Sequence, residues 1–322
     1  MPSPSIAIDQ FWSWWSTASN DYASAIARGD VVTLADQMST KVHAIHPNLD
    51  WELSEGQGAA HALCLSAVAQ PEVRALPHRW LRRAPASTPT WEYHAARIGS
   101  QVWLNSTVDI DGHNLEPREI ELALTLDHDR QLLSLSGYHP AFADLREEAR
   151  VRFLFLAIDW SIGETDVERW IGPIETTTEK TAGAVPIDAL PEIVESLAER
   201  NSEVRWSVLQ GKDRSGAEIL VTARRPLKPV DYPLFDLHGA ALFPLSEGIE
   251  RLQSIESDFE SSFAHDALLA AAEVRAGTRT LHFYCDQQTQ TQRRIEEWVA
   301  RQPATSLVWT RDPAWDHVAA FR

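Results

Sequence analysis

The chain of 322 residues contains only two cysteines, Cys64 and Cys285, and they lie far apart. A disulfide framework is therefore not what holds a chain of this size together, and a reducing compartment is expected. No apolar run is long enough to cross a bilayer, which argues against a membrane role. The first ten residues, MPSPSIAIDQ, have neither a basic start nor an apolar core, so no export signal is expected and the expected location is the cytoplasm. Basic residues are also scarce: 29 Lys and Arg stand against 46 Asp and Glu, a net charge of −17 that opposes approach to a phosphate backbone. Nucleic acid is excluded as a first reading, and a basic protein partner suits the charge better. Missing too are a Gly-x-Ser-x-Gly elbow, a glycine-rich phosphate loop and a His-Glu-x-x-His helix, so the common nucleophilic, nucleotide and zinc-protease routes have no support and no cofactor is expected.

What is present is periodicity. Ile8, Phe11, Trp12, Trp15, Tyr22 and Ile26 recur at helical spacing and predict an opening amphipathic helix over 8–27, followed by a short one over 31–38. Strands are predicted around Trp51 and Leu53 and over 62–68, and a helix begins at Pro71. Residues 91–97, 102–110, 120–126 and 131–138 read as an antiparallel meander, the last two joined through Asp127-His128-Asp129-Arg130. A helix over 142–160, apolar at Phe153, Leu154, Phe155, Leu156 and Ile158, is expected to be buried on more than one side. The polar stretch 176–183 is the best linker. A helix then runs over 188–200 with Asp188 as its N-cap, and a hairpin over 204–210 and 218–225 turns through Gly211–Gly216. From 235 on the order is β, α, β, β, α, β, the ferredoxin-like order, with Gly277 in the turn between the middle strands.

An internal correspondence links the halves. Trp80-x-x-Arg83-x-Pro85-Ala86 followed by Trp91 has the same spacing as Trp298-x-x-Arg301-x-Pro303-Ala304 followed by Trp309. In each, Pro ends a helix and the second Trp opens a strand. Upstream of the two corners lie His61-x-x-Cys64 and His282-x-x-Cys285. The fold expected is α+β: two ferredoxin-like (β-α-β-β-α-β) domains from an internal duplication, the first extended by an antiparallel meander. The expected boundaries are 1–180 for the first domain, 181–230 for a connecting helix and hairpin of open affiliation, and 231–322 for the second.

Candidate chemistry is sparse. The two His-x-x-Cys pairs would suit zinc by ligand type, but residues i and i+3 of a strand point to opposite faces, so no metal is expected. His43 and His46 precede Pro47 and read as surface residues. Asp159, Glu164, Asp166 and Glu168 resemble a carboxylate cluster, which the solvated start of a helix also explains. Most of the thirteen tryptophans fall at core positions. In Asp312-Pro313-Ala314-Trp315, a turn with Trp closing the sheet edge is the ordinary reading.

Over its last quarter the chain carries Glu250-Arg251-Leu252 through Ile255-Glu256, then Gly277-Thr278-Arg279 with His282-Phe283-Tyr284, and the terminal Asp312-Pro313-Ala314-Trp315. This pattern resembles an uncharacterised bacterial domain-of-unknown-function family, number 695, although the aromatic expected after the last Trp is His317 or Phe321 here. Relatives of that family occur fused to a domain like the regulator of ribonuclease activity B, a ferredoxin-like inhibitor, so the resemblance implies a protein-binding role. The first half, with Phe11 to Trp15, His46-Pro47-Asn48-Leu49 and Gly163-Glu164, is similar to bacterial hypothetical proteins. The expectation is a non-catalytic binding or regulatory protein with a protein partner, whose binding residues are Glu164, Arg279, His282, Asp312 and Trp315. The alternatives are a hydrolase-type enzyme whose site between the domains gathers Glu164, Arg279, His282 and Asp312, and an immunity protein against a basic toxin.

Overall fold

The computed structural model describes residues 3–201, 203–212 and 216–321. The chain is an α+β protein that divides into two compact units, Met1–Ser202 and Glu203–Arg322. The segment expected to connect the domains is itself divided, its helix joining the first unit and its hairpin the second. Among the described residues no helix is long and apolar enough to cross a membrane.

The first unit opens with α1 (Pro4–Arg28) and α2 (Val32–Ile45). Ala7, Ile8, Phe11, Trp12, Trp15, Ala18, Tyr22 and Ala25 form the buried stripe of α1, which ends at Gly29 in the left-handed conformation. β1 (Asp50–Glu55) and β2 (His61–Ser66) pair antiparallel; α3 (Ala75–Leu81) then crosses over so that β3 (Trp91–His94) pairs parallel to β2. The tryptophans fill the space between: Trp12 stacks on Trp80 at 4.5 Å and donates Nε1–H to the Trp80 carbonyl, while Trp15 donates to the Tyr93 hydroxyl. The indole nitrogens of Trp12 and Trp15 thus find acceptors, which offsets the cost of burying them, whereas the buried Trp80 Nε1 has no partner among the described residues.

The rest of this unit comprises the small hairpin β4 (Val108–Ile110) and β5 (His113–Leu115), the pair β6 (Glu121–Asp127) and β7 (Leu132–Tyr138), α4 (Glu147–Ile162), α5 (Glu164–Trp170), β8 (Ile171–Thr177), β9 (Val185–Pro186) and α6 (Leu190–Arg200). The sheet order is β8-β7-β6-β9, with β8 parallel to β7 and the other pairs antiparallel. Leu122, Leu133 and Leu135 pack against Phe153, Leu154, Ala157 and Ile158 of α4 and Leu190, Val194 and Leu197 of α6.

Several expectations are corrected here. Residues 102–110 are not one strand: a 3-10 turn at Trp103–Asn105 precedes β4, because Leu104 alone is buried there. α4 buries one face, and Phe155 is 42% exposed. The linker proposed at 176–183 overlaps β8 and lies inside the unit. Asp188 is not an N-cap; it sits in a 3-10 turn, and Ala189 precedes α6. The first unit does not form one ferredoxin-like sheet: β2 and β3 make a parallel pair in a three-stranded sheet, and β8 pairs parallel to β7 in a separate four-stranded one.

The second unit is one sheet, ordered β10-β11-β13-β14-β12-β15 and antiparallel throughout. Its elements are β10 (Arg205–Lys212), β11 (Glu218–Arg225), β12 (Leu237–Pro244), α7 (Ile249–Phe263), β13 (Ala267–Arg275), β14 (Thr278–Cys285), α8 (Thr291–Val299) and β15 (Ser306–Arg311). The tip of the hairpin between β10 and β11, expected as a glycine turn, lies at 213–215, outside the described residues. From β12 onward the element order is the one expected. Ala276 and Gly277 turn β13 into β14 with φ of 49° and 77°, the paired left-handed values of a type I′ turn. α7 and α8 cover one face through Leu252, Ile255, Phe259, Phe263, Ile295 and Trp298. The repeated corner is present twice as a helix end, Trp80 in α3 and Trp298 in α8, but the strands that follow differ: β3 pairs parallel and β15 antiparallel.

Gly239, at the centre of β12, faces Phe283 across one ladder and Trp309 across the other. A Cβ there would lie 2.1 Å from Phe283 Cε2 and 2.7 Å from Trp309 Cζ3. Gly239→Ala is expected to cost about 2 kcal/mol by overpacking, read as a lower urea midpoint. Adding Phe283→Leu should recover part of that loss; a single variant as stable as the parent would contradict this packing.

Candidate functional site

The sequence candidates fall in two clusters, one in each unit. In the first, α4 ends and α5 begins at Gly163, whose φ of 80° and ψ of 158° belong to glycine alone. The turn brings Gly163 against Gly99 in an isolated antiparallel bridge between Ile98 and Gly163. Glu164 therefore sits under the loop that follows β2. It accepts hydrogen bonds from Ser66 Oγ at 2.8 Å, from the Arg97 N–H at 3.2 Å and from the Ala69 N–H at 3.3 Å. Val68 and Ala69 in that loop both have left-handed φ, near 50°; Glu164 holds Ala69 there, and Val68 donates its N–H to Ser66 Oγ at 2.8 Å.

Arg97 is the cation of this cluster. Its guanidinium lies 2.8 Å from Asp50 Oδ2, 3.4 Å from Glu52 Oε2 and 3.7 Å from Asp159 Oδ2, with Glu164 bonded to its backbone. One positive charge thus serves four carboxylates. Burial pushes the Asp159 carboxyl up to about 6; Arg97 opposes the rise, and Glu164 and Glu52 add to it. Glu52 is raised for the same first reason, burial, against Arg97. The sequence pattern places Asp159 with Glu164, Asp166 and Glu168 at a solvated helix start, and the structure separates them. Glu164 and Asp166 do occupy the first turn of α5, but Asp159 is buried in the last turn of α4, where a carboxylate meets the negative end of the helix dipole and needs Arg97.

Beside Arg97 opens a cleft of about 350 Å³, lined by His78, His94, Arg97, Thr165 and Asp166 with the backbone of Gly99 and Gly163. His78 is held neutral, its pKa lowered to about 4 by burial and by Arg74 and Arg82. His94 bonds Glu92 at 2.9 Å. Glu92 also accepts the Gln57 and Gly58 N–H groups, each at 2.8 Å, and although burial works the other way these bonds and His94 lower its pKa to about 2. Sequence reasoning missed Arg97, His78 and His94, because nothing local distinguishes them before the chain folds.

In the second unit β14 alternates, and this separates the candidates. Arg279 points to the helix side and forms a two-pronged ion pair with Glu256 of α7, whereas His282 and Tyr284 point to the opposite face. Arg279 thus cannot line a site with His282 and Asp312. On the far face Tyr284 donates its hydroxyl to Asp312 Oδ2 at 2.6 Å and stacks on Trp315 at 4.0 Å. Asp312 also accepts the Asp316 and His317 N–H groups; burial raises its pKa, but these bonds outweigh it and the net shift is downward. Trp315 donates Nε1–H to the Phe235 carbonyl. His238 bonds His282 at 3.1 Å and stacks on His317 at 4.3 Å, and burial with these two neighbours lowers its pKa to about 3. Asp312 and Trp315 therefore anchor the C-terminal segment, and Trp315 lies over Tyr284 of the interior strand β14 rather than closing the sheet edge. Cys64 and Cys285 are buried thiols whose pKa values burial raises, Cys285 to about 12.

Comparison with known proteins adds no identity: no family model, no curated protein and no solved structure matches this chain.

Proposed function

We propose that this chain is a non-catalytic binding or regulatory protein that acts on a protein partner. The observation that carries the reading is the bonding of Glu164, Asp312, Arg279 and Trp315. Glu164 accepts three hydrogen bonds, Asp312 three, Arg279 is paired with Glu256 and Trp315 is stacked and bonded, so each holds the chain rather than facing a reactant. The net charge of −17 supports the same reading. Within it, the repeated Trp-to-Trp corner supports a duplicated helix-to-strand unit.

The test is capture of partners by the tagged full-length chain in its native host, followed by reconstitution from purified components. A complex that survives gel filtration with a Kd below about 1 μM is the expected result, and recovery of nothing above background overturns the reading. The cleft beside Arg97 favours a second reading, a hydrolase-type enzyme with its site inside the first unit and the neutral His78 as proton acceptor. Turnover of chromogenic ester, amide or phosphoester substrates that disappears in His78→Gln would replace the binding reading with that one.

A further inference from the structure

β10 is the end strand of the six-stranded sheet, so among the described residues one of its edges has no neighbouring strand. An edge strand presents a row of backbone N–H and C=O groups that another strand can pair with. Its register with β11 places Trp206 beside Arg224, Val208 beside Thr222 and Gln210 beside Leu220 on one face. This is the face that α7 and α8 cover farther along the sheet, and Arg224, paired with Glu260 of α7, marks where the cover stops. Beyond it Trp206, Val208 and Leu220 are 38%, 62% and 37% exposed. The opposite face is closed, since Leu209 and Ile219 pack with Val221, Ala223 and Ala271.

Charge says what fits this surface. In a chain of net charge −17, β10 contains no acidic residue and has a cation at each end, Arg205 and Lys212. Both are exposed, and the described residues give neither of them an ion pair, although Glu218 stands opposite Lys212 in the register. Arg205 stands opposite Arg225 in the register. A second copy fits poorly: β10 paired antiparallel with itself over its full length puts Arg205 opposite Lys212 twice, and like charges directly across a ladder destabilise it.

We infer that the open edge of β10 is a docking strand for an extended segment of a partner protein, apolar at alternate positions and acidic at both ends. The segment adds a seventh strand to the sheet, its backbone supplying affinity and its alternate side chains meeting Trp206 and Val208. This rests on the protein-binding reading and names the surface and the partner chemistry.

The probe is a fluorescent eight-residue peptide of alternating Val and Thr with Asp at each end, compared with the same peptide ended in Lys, both titrated against the full chain by polarisation. Tighter binding of the acidic peptide by tenfold or more is expected, weakening as salt rises. Arg205→Glu with Lys212→Glu should reverse the preference, and Trp206→Ser with Val208→Ser should weaken binding tenfold or more with circular dichroism unchanged. N-methylation of alternate peptide amides should abolish it. Equal binding of the two peptides, undiminished binding of the N-methylated one, or no binding of either at 1 mM overturns the inference. So does a dimer in sedimentation that the Trp206→Ser, Val208→Ser variant dissolves, which would assign the edge to a second copy. A captured partner that still binds this variant sinks the docking strand and leaves the binding reading intact. Absence of any partner sinks the binding reading, while the peptide titration still decides the strand.

Discussion

Gly163→Ala will lower the stability of the first unit by about 4 kcal/mol and will disorder the loop that follows β2. Two independent costs add. The backbone at φ 80° and ψ 158° is a region that residues with a Cβ occupy only under strain, roughly 1–3 kcal/mol. The added Cβ would also lie 2.7 Å from the Gly99 nitrogen and 2.9 Å from the Arg97 carbonyl oxygen, backbone atoms that cannot rotate away. Relief therefore needs α4 and α5 to separate from the 97–99 segment, which withdraws Glu164 from Ser66, Ala69 and Arg97 together. Urea denaturation monitored by tryptophan fluorescence measures the loss, and amide exchange should be faster at Ala69 and Arg97. Gly99→Ala, whose Cβ would lie 2.8 Å from the Ile162 carbonyl carbon, should behave alike because it blocks the same contact from the other side. A Gly163→Ala protein with the parent's midpoint would show that the turn is not held as described.

How much of this was legible beforehand follows from range of interaction. α1, the pair β6 and β7, and the series from β12 to β15 were readable because helical or alternating patterns carry them and tight turns bound them. β8 was not: Ile171-Gly172-Pro173-Ile174-Glu175-Thr176-Thr177 pairs on one side only, with Gly172 and Pro173 inside it, and local preference reads it as loop. Missing β8 and α5 moved the expected linker into the middle of a unit. At the site, Glu164 was legible as an acid opening a helix. Its partners were not, because Asp50 and Glu52 come from β1, Arg97 from the segment after β3 and Asp159 from the end of α4. Arg279 and His282 were grouped although three residues apart on a strand, the separation that put His282 and Cys285 on opposite faces in the metal argument.

Replacing Arg97 tests the charge arrangement most directly. Arg97→Met keeps the stem and removes the only cation facing Asp50, Glu52 and Asp159 among the described residues. Removing one partner of a buried pair costs roughly 3–5 kcal/mol; the Arg97 side chain is 25% exposed, so water screens part of this and about 3 kcal/mol at pH 7.5 is expected. The loss should depend on pH with a definite sign. In the parent the folded Asp159 keeps its proton up to about pH 6, whereas the unfolded carboxyl gives it up near 3.8. The folded state therefore binds more protons across that interval, and stability falls as pH rises through it. Without Arg97 the opposing cation is gone, so Asp159 and Glu52 hold their protons to higher pH and the falling limb extends above 6. The variant should thus recover roughly half of its loss at pH 5, where Asp159 is largely protonated and no longer needs a cation. Glu92, held down to about 2, acts with the opposite sign only below about 4.5, so measurements at pH 5 and 7.5 stay clear of it. Arg97→Lys, which keeps the charge but not the planar fork, should fall between parent and Arg97→Met. An equal loss at both pH values would mean that Arg97 acts through packing and that the four carboxylates do not depend on its charge.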